Sequence, residues 1–552
     1  MPRRKPFSNK QKKKQLQVKR EKKRGGFRLH FEKESKEEVE RRKKIAREKI
    51  LKQVAEKELE IDMNQIYPEE KGLNFPRRPS WHYNMQREEL LRKEEKSFLE
   101  YLEALQSKNP PGTLSHFEHN LETWRQLWRV MEMSDVILLI VDIRYPVLQF
   151  PPALYHYITG ELKKYIILVL NKVDLCPSPL VLAWKHYLTK QFPHMHCVCF
   201  TSHPGQPYST RERVFPVSVK KVRWNAGGPI HIMRACQEIT AGRVDLSSWE
   251  KKIQRDAVAV RTEGDQADDG SESVLMEHHS DVAMEMNSPT QELYKDGVLT
   301  MGCIGFPNVG KSSVLNSLVG RKVVSVSRTP GHTKYFQTYY LTPTVKLCDC
   351  PGLVFPSQVD KQLQILAGIY PVSQLQEPYS SVGYLCERTN FLPVLKLTHP
   401  DHSPETPHNP STQDWTAWDV CEAWADRRGY KTAKAARNDA YRAANSLLRL
   451  AIDGRMCLCL QPPGYSQSKD EWESHPELAE IIALQGRKDE EDECGEREDD
   501  EGESSSELEE DNDRDADDDE DADGDDEDDT VKADRKGLTL NMFSVLGENE
   551  CA

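Results

Sequence analysis

Short apolar runs separated by amphipathic stretches recur along this chain. Three unbroken runs, rich in branched residues, have the length of strands buried on both faces, and they occupy residues 136–141, 165–170 and 197–200. Helical patterns lie between them near 152–163 and 179–191, and the strand–loop–helix pattern resumes at 300–304. Strands that alternate with helices predict an α/β fold, with a mostly parallel sheet flanked by helices.

Helices rather than strands are predicted on either side of this α/β core. Residues 31 to about 60 carry mixed Glu, Lys and Arg with no Gly or Pro, which predicts one extended, solvated helix. Residues 86–106 and 114–130 are amphipathic, and residues 433–452 are strongly helical and basic on one face. The predicted organisation is a basic disordered arm (1–30), a helical N-terminal extension (31–113), an α/β domain (114–356) with linker insertions near 204–229 and 250–297, a helical C-terminal domain (357–465) and an acidic disordered tail (466–552).

Charge is strongly polarised along the 552 residues. Residues 489–529 hold 28 Asp and Glu against two Arg, a net charge of −26, although the whole chain carries only −13. The rest of the chain is therefore basic, and its first 24 residues hold twelve Lys and Arg against one Glu. Such an arm suits nuclear import or binding to a phosphate backbone, and a merely solvated arm is the plainer alternative.

Several classes of protein are disfavoured by composition. The 13 cysteines form no Cys-x-x-Cys pair, so neither a zinc site nor a disulfide framework is expected. The basic N-terminal segment has no apolar core of the kind found in a secretory signal, and no apolar run has the roughly 20 residues of a membrane span. These features predict a soluble intracellular protein without a membrane partner.

A phosphate-binding pattern follows the predicted strand at 300–304. It reads Gly305-Phe306-Pro307-Asn308-Val309-Gly310-Lys311-Ser312, and a helical stretch begins at Ser313. Glycines let the backbone wrap around phosphates, and the N–H groups of the loop from Gly305 through Val309 and Gly310 to Ser313 then face them at a helix N-terminus. Lys311 is expected to reach the β- and γ-phosphates, and the Ser312 hydroxyl to ligate Mg²⁺.

A guanine-reading pattern follows the predicted strand at 165–170. Its residues are Asn171, Lys172 and Asp174, and the Asp174 carboxylate can accept hydrogen bonds from both the ring N–H and the exocyclic amine of guanine. Asn171 is expected to tie this loop to the phosphate loop, and the Lys172 stem to cover one face of the base. After the strand at 197–200, Thr201 and Ser202 offer backbone N–H groups to the guanine oxygen, with Ser202 favoured.

Two further segments are expected at the γ-phosphate. Asp349 ends an apolar run about 40 residues beyond the phosphate loop, where it would hold Mg²⁺ through water while the Gly352 N–H meets the phosphate. Between them, the segment 328–334 provides a threonine for the Mg²⁺ shell, with Thr333 favoured and Thr329 the alternative.

The machinery for hydrolysis is predicted to be unusual. Many GTPases place a water-orienting Gln at the position of Leu353, and leucine cannot orient water, so hydrolysis would be slow until a partner completes the site. Asn308 is positioned to help bind a monovalent cation such as K⁺. The residues expected to act in the reaction itself are Lys311, Thr333, Gly352 and Asn308.

The order of the motifs predicts a circularly permuted GTPase, because the guanine-reading loop precedes the phosphate loop. Two incomplete GTPase domains would also supply these motifs. The strand at 136–141 favours the permutation, since the usual order places a buried strand between the Asp-x-x-Gly motif and the guanine-reading loop, and here such a strand lies upstream of that loop. Joining the natural termini through residues 250–297 would then leave one complete sheet.

These residues resemble a known family. The motif order, the phosphate loop and the segment Thr329-Pro330-Gly331-His332-Thr333-Lys334 resemble the permuted ribosome-assembly GTPases related to YlqF and nucleostemin. Within that family, residues 1–8, residues 122–130 and the acidic tail resemble one particular member. The family shares a hydrophobic residue at the position of Leu353, whereas Thr201-Ser202 departs from its usual Ser-Ala.

The resemblance implies binding of GTP and GDP, a need for Mg²⁺, and a role in large ribosomal subunit biogenesis or in shuttling between nucleus and cytoplasm. Ribosomal RNA or pre-ribosomal particles would then be partners, and the basic arm would engage the import machinery. The alternatives are a nucleotide-gated scaffold with negligible hydrolysis and an ATP-using phosphotransferase. In the permuted order, the segments 328–334 and 349–353 lead into the helical C-terminal domain, which is therefore expected to respond to the γ-phosphate.

Overall fold

The computed structural model describes residues 35–486, with gaps at Tyr83, Pro111, 205–227, 263–275, 278–292, 325–335, 402–413 and 433–435. The basic arm, the segment with Thr329 and Thr333, and the acidic tail from residue 487 lie outside the described residues.

The structure contains a seven-stranded sheet, and the strands that the sequence predicts all lie in it. Its strands are β1 (Val136–Asp142), β2 (Tyr165–Asn171), β3 (Met195–Cys199), β4 (Met276–Glu277), β5 (Leu299–Ile304), β6 (Gln337–Thr342) and β7 (Val345–Asp349). Their order across the sheet is β3-β2-β1-β5-β7-β6-β4. The first five in this order pair in parallel, whereas β6 and β4 are antiparallel to their neighbours. The prediction of a mostly parallel sheet is confirmed.

The two sequence halves meet at the pairing of β1 with β5. Val136 lies opposite Met301 and Leu139 opposite Ile304, although some 165 positions separate the partners. Every residue of β1 is buried, as expected for a strand covered on both faces. One sheet therefore contains both halves, which confirms a permuted domain and excludes two incomplete ones. The carboxyl ends of β2, β3, β5 and β7 lie at one edge, where ligands of open parallel sheets bind.

Helices flank the sheet and form the regions before and after it. Before the guanine-reading loop they are α1 (Lys36–Glu48), α2 (Met63–Ile66), α3 (Arg87–Lys108), α4 (Leu121–Met133) and α5 (Pro152–His156). In the remainder of the sheet domain they are α6 (Ser178–Gln191), α7 (Pro229–Thr240), α8 (Ser247–Thr262) and α9 (Lys311–Val319). The C-terminal helical region comprises α10 (Lys361–Leu366), α11 (Tyr379–Arg388), α12 (Leu392–Leu395), α13 (Ala417–Arg428), α14 (Ala440–Ile452), α15 (Lys469–Glu473) and α16 (Leu478–Gln485).

The N-terminal extension differs from the predicted long helix. Helix α1 ends at Glu48, and the chain continues extended, where the Leu51 N–H donates to the Trp415 carbonyl at 2.8 Å. The extended segment after α1 also bonds to the C-terminal helical region where the Val54 N–H donates to the Glu387 carbonyl at 2.9 Å, so the prediction of one helix over 31–60 is wrong. Farther along, α4 begins at Leu121 rather than at residue 114, because the Asn120 side chain caps it by accepting from the Glu122 N–H.

Three boundaries beyond residue 249 also need correction. Residues 250–262 lie in α8, so the predicted linker is wrong for that stretch. Helix α14 begins at Ala440 rather than at residue 433, because the Asp439 side chain caps it. Residues 466–486 include two helices, and Ile481 is 2% exposed, so the disordered tail does not begin at 466.

The described residues of the predicted sheet domain and of the C-terminal helical region lie within one compact unit. The boundaries proposed between them on sequence remain predictions. Within the described ranges, no helix has both the length and the apolarity needed to cross a membrane.

Candidate nucleotide-binding site

The phosphate loop has the geometry that its sequence predicts. It connects β5 to α9, and its last residue, Gly310, caps the helix with φ at +95°. A β-carbon at Gly305 would stand 2.4 Å from the Ile140 carbonyl, and one at Gly310 would stand 2.3 Å from the Asn171 amide nitrogen. Both positions therefore require glycine. Asn308 also has a positive φ of +58°, which turns the backbone around the inside of the loop.

Lys311 is folded back into this loop. It is 8% exposed, and its ammonium donates to the carbonyls of Gly305 at 3.1 Å and Phe306 at 2.7 Å. Burial lowers the pKa of Lys311, and the nearby Asp349 carboxylate opposes that shift. Ser312 and Ser313, the next two residues, are half-buried at the start of α9.

The guanine-reading loop contacts the phosphate loop directly. The Asn171 side-chain amide donates to the Val309 carbonyl at 2.8 Å, as the sequence predicts for a tie between the two loops. Lys172 has a positive φ of +62°, and its ammonium donates to the Asn308 carbonyl at 2.7 Å. These bonds hold the loop after β2 against the loop after β5, at the carboxyl edge of the sheet.

Asp174 is positioned by the loop after β3. It is 6% exposed, and the Thr201 hydroxyl donates to its Oδ1 at 2.5 Å. The same hydroxyl oxygen accepts from the His203 N–H at 3.0 Å, and the Val173 N–H donates to the Phe200 carbonyl at 3.3 Å. Thr201 therefore orients the carboxylate through its side chain. Ser202 is 5% exposed, and its hydroxyl lies 3.4 Å from that of Ser317.

Asp349 presents an unusual electrostatic situation at the end of β7. It is 1% exposed, and neither carboxylate oxygen has a hydrogen-bond partner among the described residues. Burial raises its pKa to about 7, and Lys311 partly offsets that rise. A buried carboxylate without partners is costly unless a cation or donor approaches it.

Gly352 brings the chain after β7 against the phosphate loop. A β-carbon there would lie 2.9 Å from Pro307 Cα and 3.2 Å from the Lys311 ammonium, so only glycine allows this approach. The next residue, Leu353, is fully buried, and its N–H donates to the Gly305 carbonyl at 3.3 Å. Its side chain thus belongs to the core. Thr329 and Thr333 lie outside the described residues, so their assignment stays a prediction.

A buried ion pair that sequence reasoning missed lies beneath the guanine-reading loop. Asp142 ends β1, and Arg144 binds it through two bonds of 3.0 and 2.8 Å, both side chains being 1% exposed. Lys172 donates to the same carboxylate at 2.7 Å. Burial alone would raise the pKa of Asp142, but Arg144 and Lys172 hold it below its usual value.

This ion pair also reaches the C-terminal helical region. Arg144 donates to the carbonyls of Ala451 at 2.9 Å and Ile452 at 3.3 Å, the last turn of α14, where a cation is favoured. From the phosphate loop, the Asn308 side-chain amide donates to the Gly368 carbonyl at 2.7 Å. The only sequence signal was an Asp-x-Arg directly after a buried strand, and it does not reveal partners some 300 residues away.

Comparison with known proteins agrees with this arrangement. Residues 300–374, which include the phosphate loop and Asp349, match the family described as 50S ribosome-binding GTPase. Guanine nucleotide-binding protein-like 1 of Macaca fascicularis is 58% identical over 474 residues, which span 84% of this chain and 77% of that protein. Large subunit GTPase 1 homolog of Mus musculus is 30% identical over 440 residues, 71% of this chain and 66% of that protein.

One solved structure aligns only weakly. GNP-bound YlqF from T. maritima covers 62% of this chain and 97% of its own, at 16% identity and a TM-score of 0.33, which is too weak to support an argument. The family assignment depends instead on the high identity over most of a relative's length, together with the order of motifs around the sheet. The chain belongs to the guanine nucleotide-binding protein-like 1 family of circularly permuted, GTP-binding proteins.

Proposed function

We propose that this protein hydrolyses GTP to GDP, slowly by itself and faster when a partner completes its site. The observation that carries the proposal is Asp349, a buried carboxylate without partners among the described residues, which ends a strand beside the phosphate loop. Hard oxygen ligands of this kind suit Mg²⁺, and Ser312, which also carries such an oxygen, lies in the first turn of the neighbouring helix α9. Asp349 through water, Ser312 and Thr333 are the residues that would hold the ion.

Binding and orientation account for most of the catalysis that these residues can supply. Mg²⁺, when bound, would neutralise charge on the β- and γ-phosphates. Lys311 would move from the carbonyls of Gly305 and Phe306 to the phosphates, which attract an ammonium more strongly than neutral carbonyls do. Gly352 would bring its N–H to the γ-phosphate, because its lack of a side chain allows that segment to contact Pro307. Asp174, oriented by Thr201, would select guanine.

Slow intrinsic turnover follows from Leu353. Its side chain is buried and apolar, so it offers no group to orient the attacking water. The same observation favours a second candidate function, a nucleotide-gated RNA- or protein-binding scaffold with negligible hydrolysis. Turnover of GTP measured with and without ribosomal subunits separates the two: stimulation supports the GTPase, and a rate at background in both cases supports the scaffold.

Large-subunit ribosome biogenesis, or ribonucleoprotein assembly and transport, is the proposed setting. It is supported by the description of the matched family as ribosome-binding and by the relative called Large subunit GTPase 1 homolog. The twelve basic residues among the first 24 suit ribosomal RNA and nuclear import, so the nucleus or nucleolus, with shuttling to the cytoplasm, is the proposed location. Crosslinking to RNA in the GTP-bound and GDP-bound states tests this; equal absence of RNA in both would overturn it.

Potassium is proposed as an additional cofactor at Asn308. The amide nitrogen of Asn308 donates to Gly368, so the ligand that it would offer a cation is its amide oxygen. GTP turnover is expected to be faster in K⁺ than in Na⁺ at equal ionic strength, and equal rates would remove potassium from the account.

The base-reading assignment has its own test. Asp174→Asn replaces an acceptor of two guanine donors with an amide, which matches xanthine better. The variant is expected to shift preference from guanosine to xanthosine nucleotides. Unchanged guanosine preference would contradict the role of Asp174, and a preference for adenosine nucleotides in the unaltered protein would favour an ATP-using phosphotransferase instead.

A further inference from the structure

The guanine-reading turn is held from beneath by a helix in the part of the chain that composition assigned to a disordered tail. Helix α16 ends at Gln485, whose side chain is 1% exposed. Its amide nitrogen donates to the Val173 carbonyl at 2.7 Å and to the Cys176 carbonyl at 3.0 Å. Its amide oxygen accepts from the Ser178 hydroxyl at 2.7 Å. All three partners lie within four residues of Asp174.

A glutamine amide suits this position chemically. Its two N–H groups serve two carbonyls of the turn, and its oxygen simultaneously accepts a hydroxyl proton. These bonds are buried, where an unmade hydrogen bond is most costly, so they fix the turn more firmly than exposed bonds would. The turn runs from Val173 to Leu175 as a single 3₁₀ turn, whose own backbone bonds are Leu175 N–H to the Lys172 carbonyl at 2.9 Å and Cys176 N–H to the Val173 carbonyl at 3.3 Å. The two bonds from the Gln485 amide therefore equal the turn's own bonds in number.

The helix that carries Gln485 is itself docked on the sheet domain. Ile481 is 2% exposed, and Leu484 packs against the main core. Just before α16, the Lys185 ammonium donates to the Glu477 carboxylate at 2.9 Å, which ties this segment to α6. Both ends of the segment therefore contact the element that follows the guanine-reading loop.

We propose that Gln485 is a positioning residue for guanine recognition: by holding the carbonyls on either side of Asp174, it sets where that carboxylate meets the base. The C-terminal segment 478–485 thereby forms part of the base-binding site. This inference rests on the proposed role of Asp174 as the group that reads guanine.

The test compares GDP with IDP in the full-length protein. Both nucleotides carry the same diphosphate, but inosine lacks the exocyclic amine, so the ratio of their affinities isolates how well Asp174 is aimed. In Gln485→Met, which keeps the length of the side chain and loses its donors, GDP affinity is expected to fall about tenfold. IDP affinity falls less, so the preference for GDP over IDP shrinks.

Two further variants keep the test decisive. Ser178→Ala removes the donor that orients the Gln485 oxygen, and it should shift the ratio in the same direction with a smaller effect, even if Gln485→Met folds poorly. Trp472→Ala weakens the packing of the neighbouring helix α15, lies outside segment 478–485 and does not contact the turn, so it should leave the ratio unchanged. An unchanged ratio in both Gln485→Met and Ser178→Ala overturns the proposal, and so does an equal shift in Trp472→Ala.

Failure of the proposed function gives a different result. If the unaltered protein does not prefer GDP to IDP, and Asp174→Asn does not favour XDP, then the assignment of Asp174 fails and the role of Gln485 fails with it. If both behave as expected while the Gln485 and Ser178 variants keep the normal ratio, only the positioning role is wrong.

Discussion

The two ends of the candidate nucleotide site are built differently. At the base end, Asp174 accepts from Thr201, and Lys172 donates to both Asp142 and the phosphate loop. At the phosphate end, the oxygens of Asp349 have no partner among the described residues, and the Lys311 ammonium is directed at backbone carbonyls. At the base end both carboxylates, Asp142 and Asp174, are paired within the protein, although the Asn171 amide oxygen has no hydrogen-bond partner among the described residues. The phosphate end contains a buried carboxylate that a ligand or ion would complete.

The contrast assigns different roles to the two ends. Paired and buried polar groups rigidify their surroundings, so the base end is a preformed anchor. A buried charge without hydrogen-bond partners favours binding of a ligand or ion that neutralises it. We therefore expect the protein to respond to the bound nucleotide at the phosphate end. The C-terminal helical region is tied to the base end by Arg144 and Gln485, and to the phosphate loop by Asn308. Its response to the γ-phosphate remains a prediction, now with specific contacts to test.

The largest effect is expected from breaking the base end. Arg144→Ala leaves Asp142 buried with Lys172 as its remaining cationic partner among the described residues, and it removes the bonds to the last turn of α14. Losing one partner of a buried ion pair costs about 3–5 kcal/mol, which chemical denaturation measures as a lower midpoint. The control is Lys44→Ala, which removes an exposed pair with Glu48 at 3.9 Å and should leave the midpoint unchanged. A midpoint that is also unchanged in Arg144→Ala would show that the base end is not an anchor.

A smaller effect, on binding rather than stability, is expected at Lys311. Lys311→Ala removes the ammonium that donates to the Gly305 and Phe306 carbonyls of the phosphate loop, so GTP affinity should fall about a hundredfold, or roughly 2.7 kcal/mol. The denaturation midpoint of the nucleotide-free protein should not fall, because a buried lysine with a lowered pKa contributes little to stability. Lys322→Ala, an exposed lysine beyond α9, is the matched control. Normal GTP affinity in Lys311→Ala would contradict the phosphate-loop assignment.

The smallest effect should come from Asp349. Its replacement should raise the stability of the nucleotide-free protein but weaken GTP binding in the presence of Mg²⁺. Asp349→Asn removes a buried charge whose oxygens have no hydrogen-bond partner among the described residues, so the nucleotide-free protein at pH 8 should be more stable, by about 1 kcal/mol. The same change should abolish the gain in GTP affinity that Mg²⁺ provides. Calorimetry with and without Mg²⁺ measures both. Lower stability without ligand would mean that the carboxylate is already satisfied in the protein.

Much of the sheet and of the nucleotide motifs was predictable, because those features are local. Unbroken apolar runs identified β1, β2 and β3, the resumed strand–loop–helix pattern identified β5, and the spacing of glycines identified the phosphate loop. Strand β6 (Gln337–Thr342) was missed, since its mixed polar and aromatic residues lack the apolar run used to find the others. Composition also failed at Gln485, because the acidic run from residue 489 dominates the average over the tail and hides the apolar helix Leu478–Gln485. The partners of Gln485 lie about 310 positions away. Long-range hydrogen bonds between buried polar groups, such as the bond from Arg144 to the Ala451 carbonyl, leave no local pattern in the sequence.

Amide hydrogen exchange tests the central contrast most directly. The nucleotide-free and GDP-loaded proteins are compared at two peptides, residues 171–176 at the base end and residues 306–313 at the phosphate end. Because the turn at the base end is already held by Phe200 and Gln485, GDP should slow its exchange only slightly. Exchange in the phosphate loop should slow strongly, because its N–H groups gain phosphate acceptors. Equal slowing at both peptides, or slowing confined to 171–176, would contradict a preformed base end and a ligand-completed phosphate end.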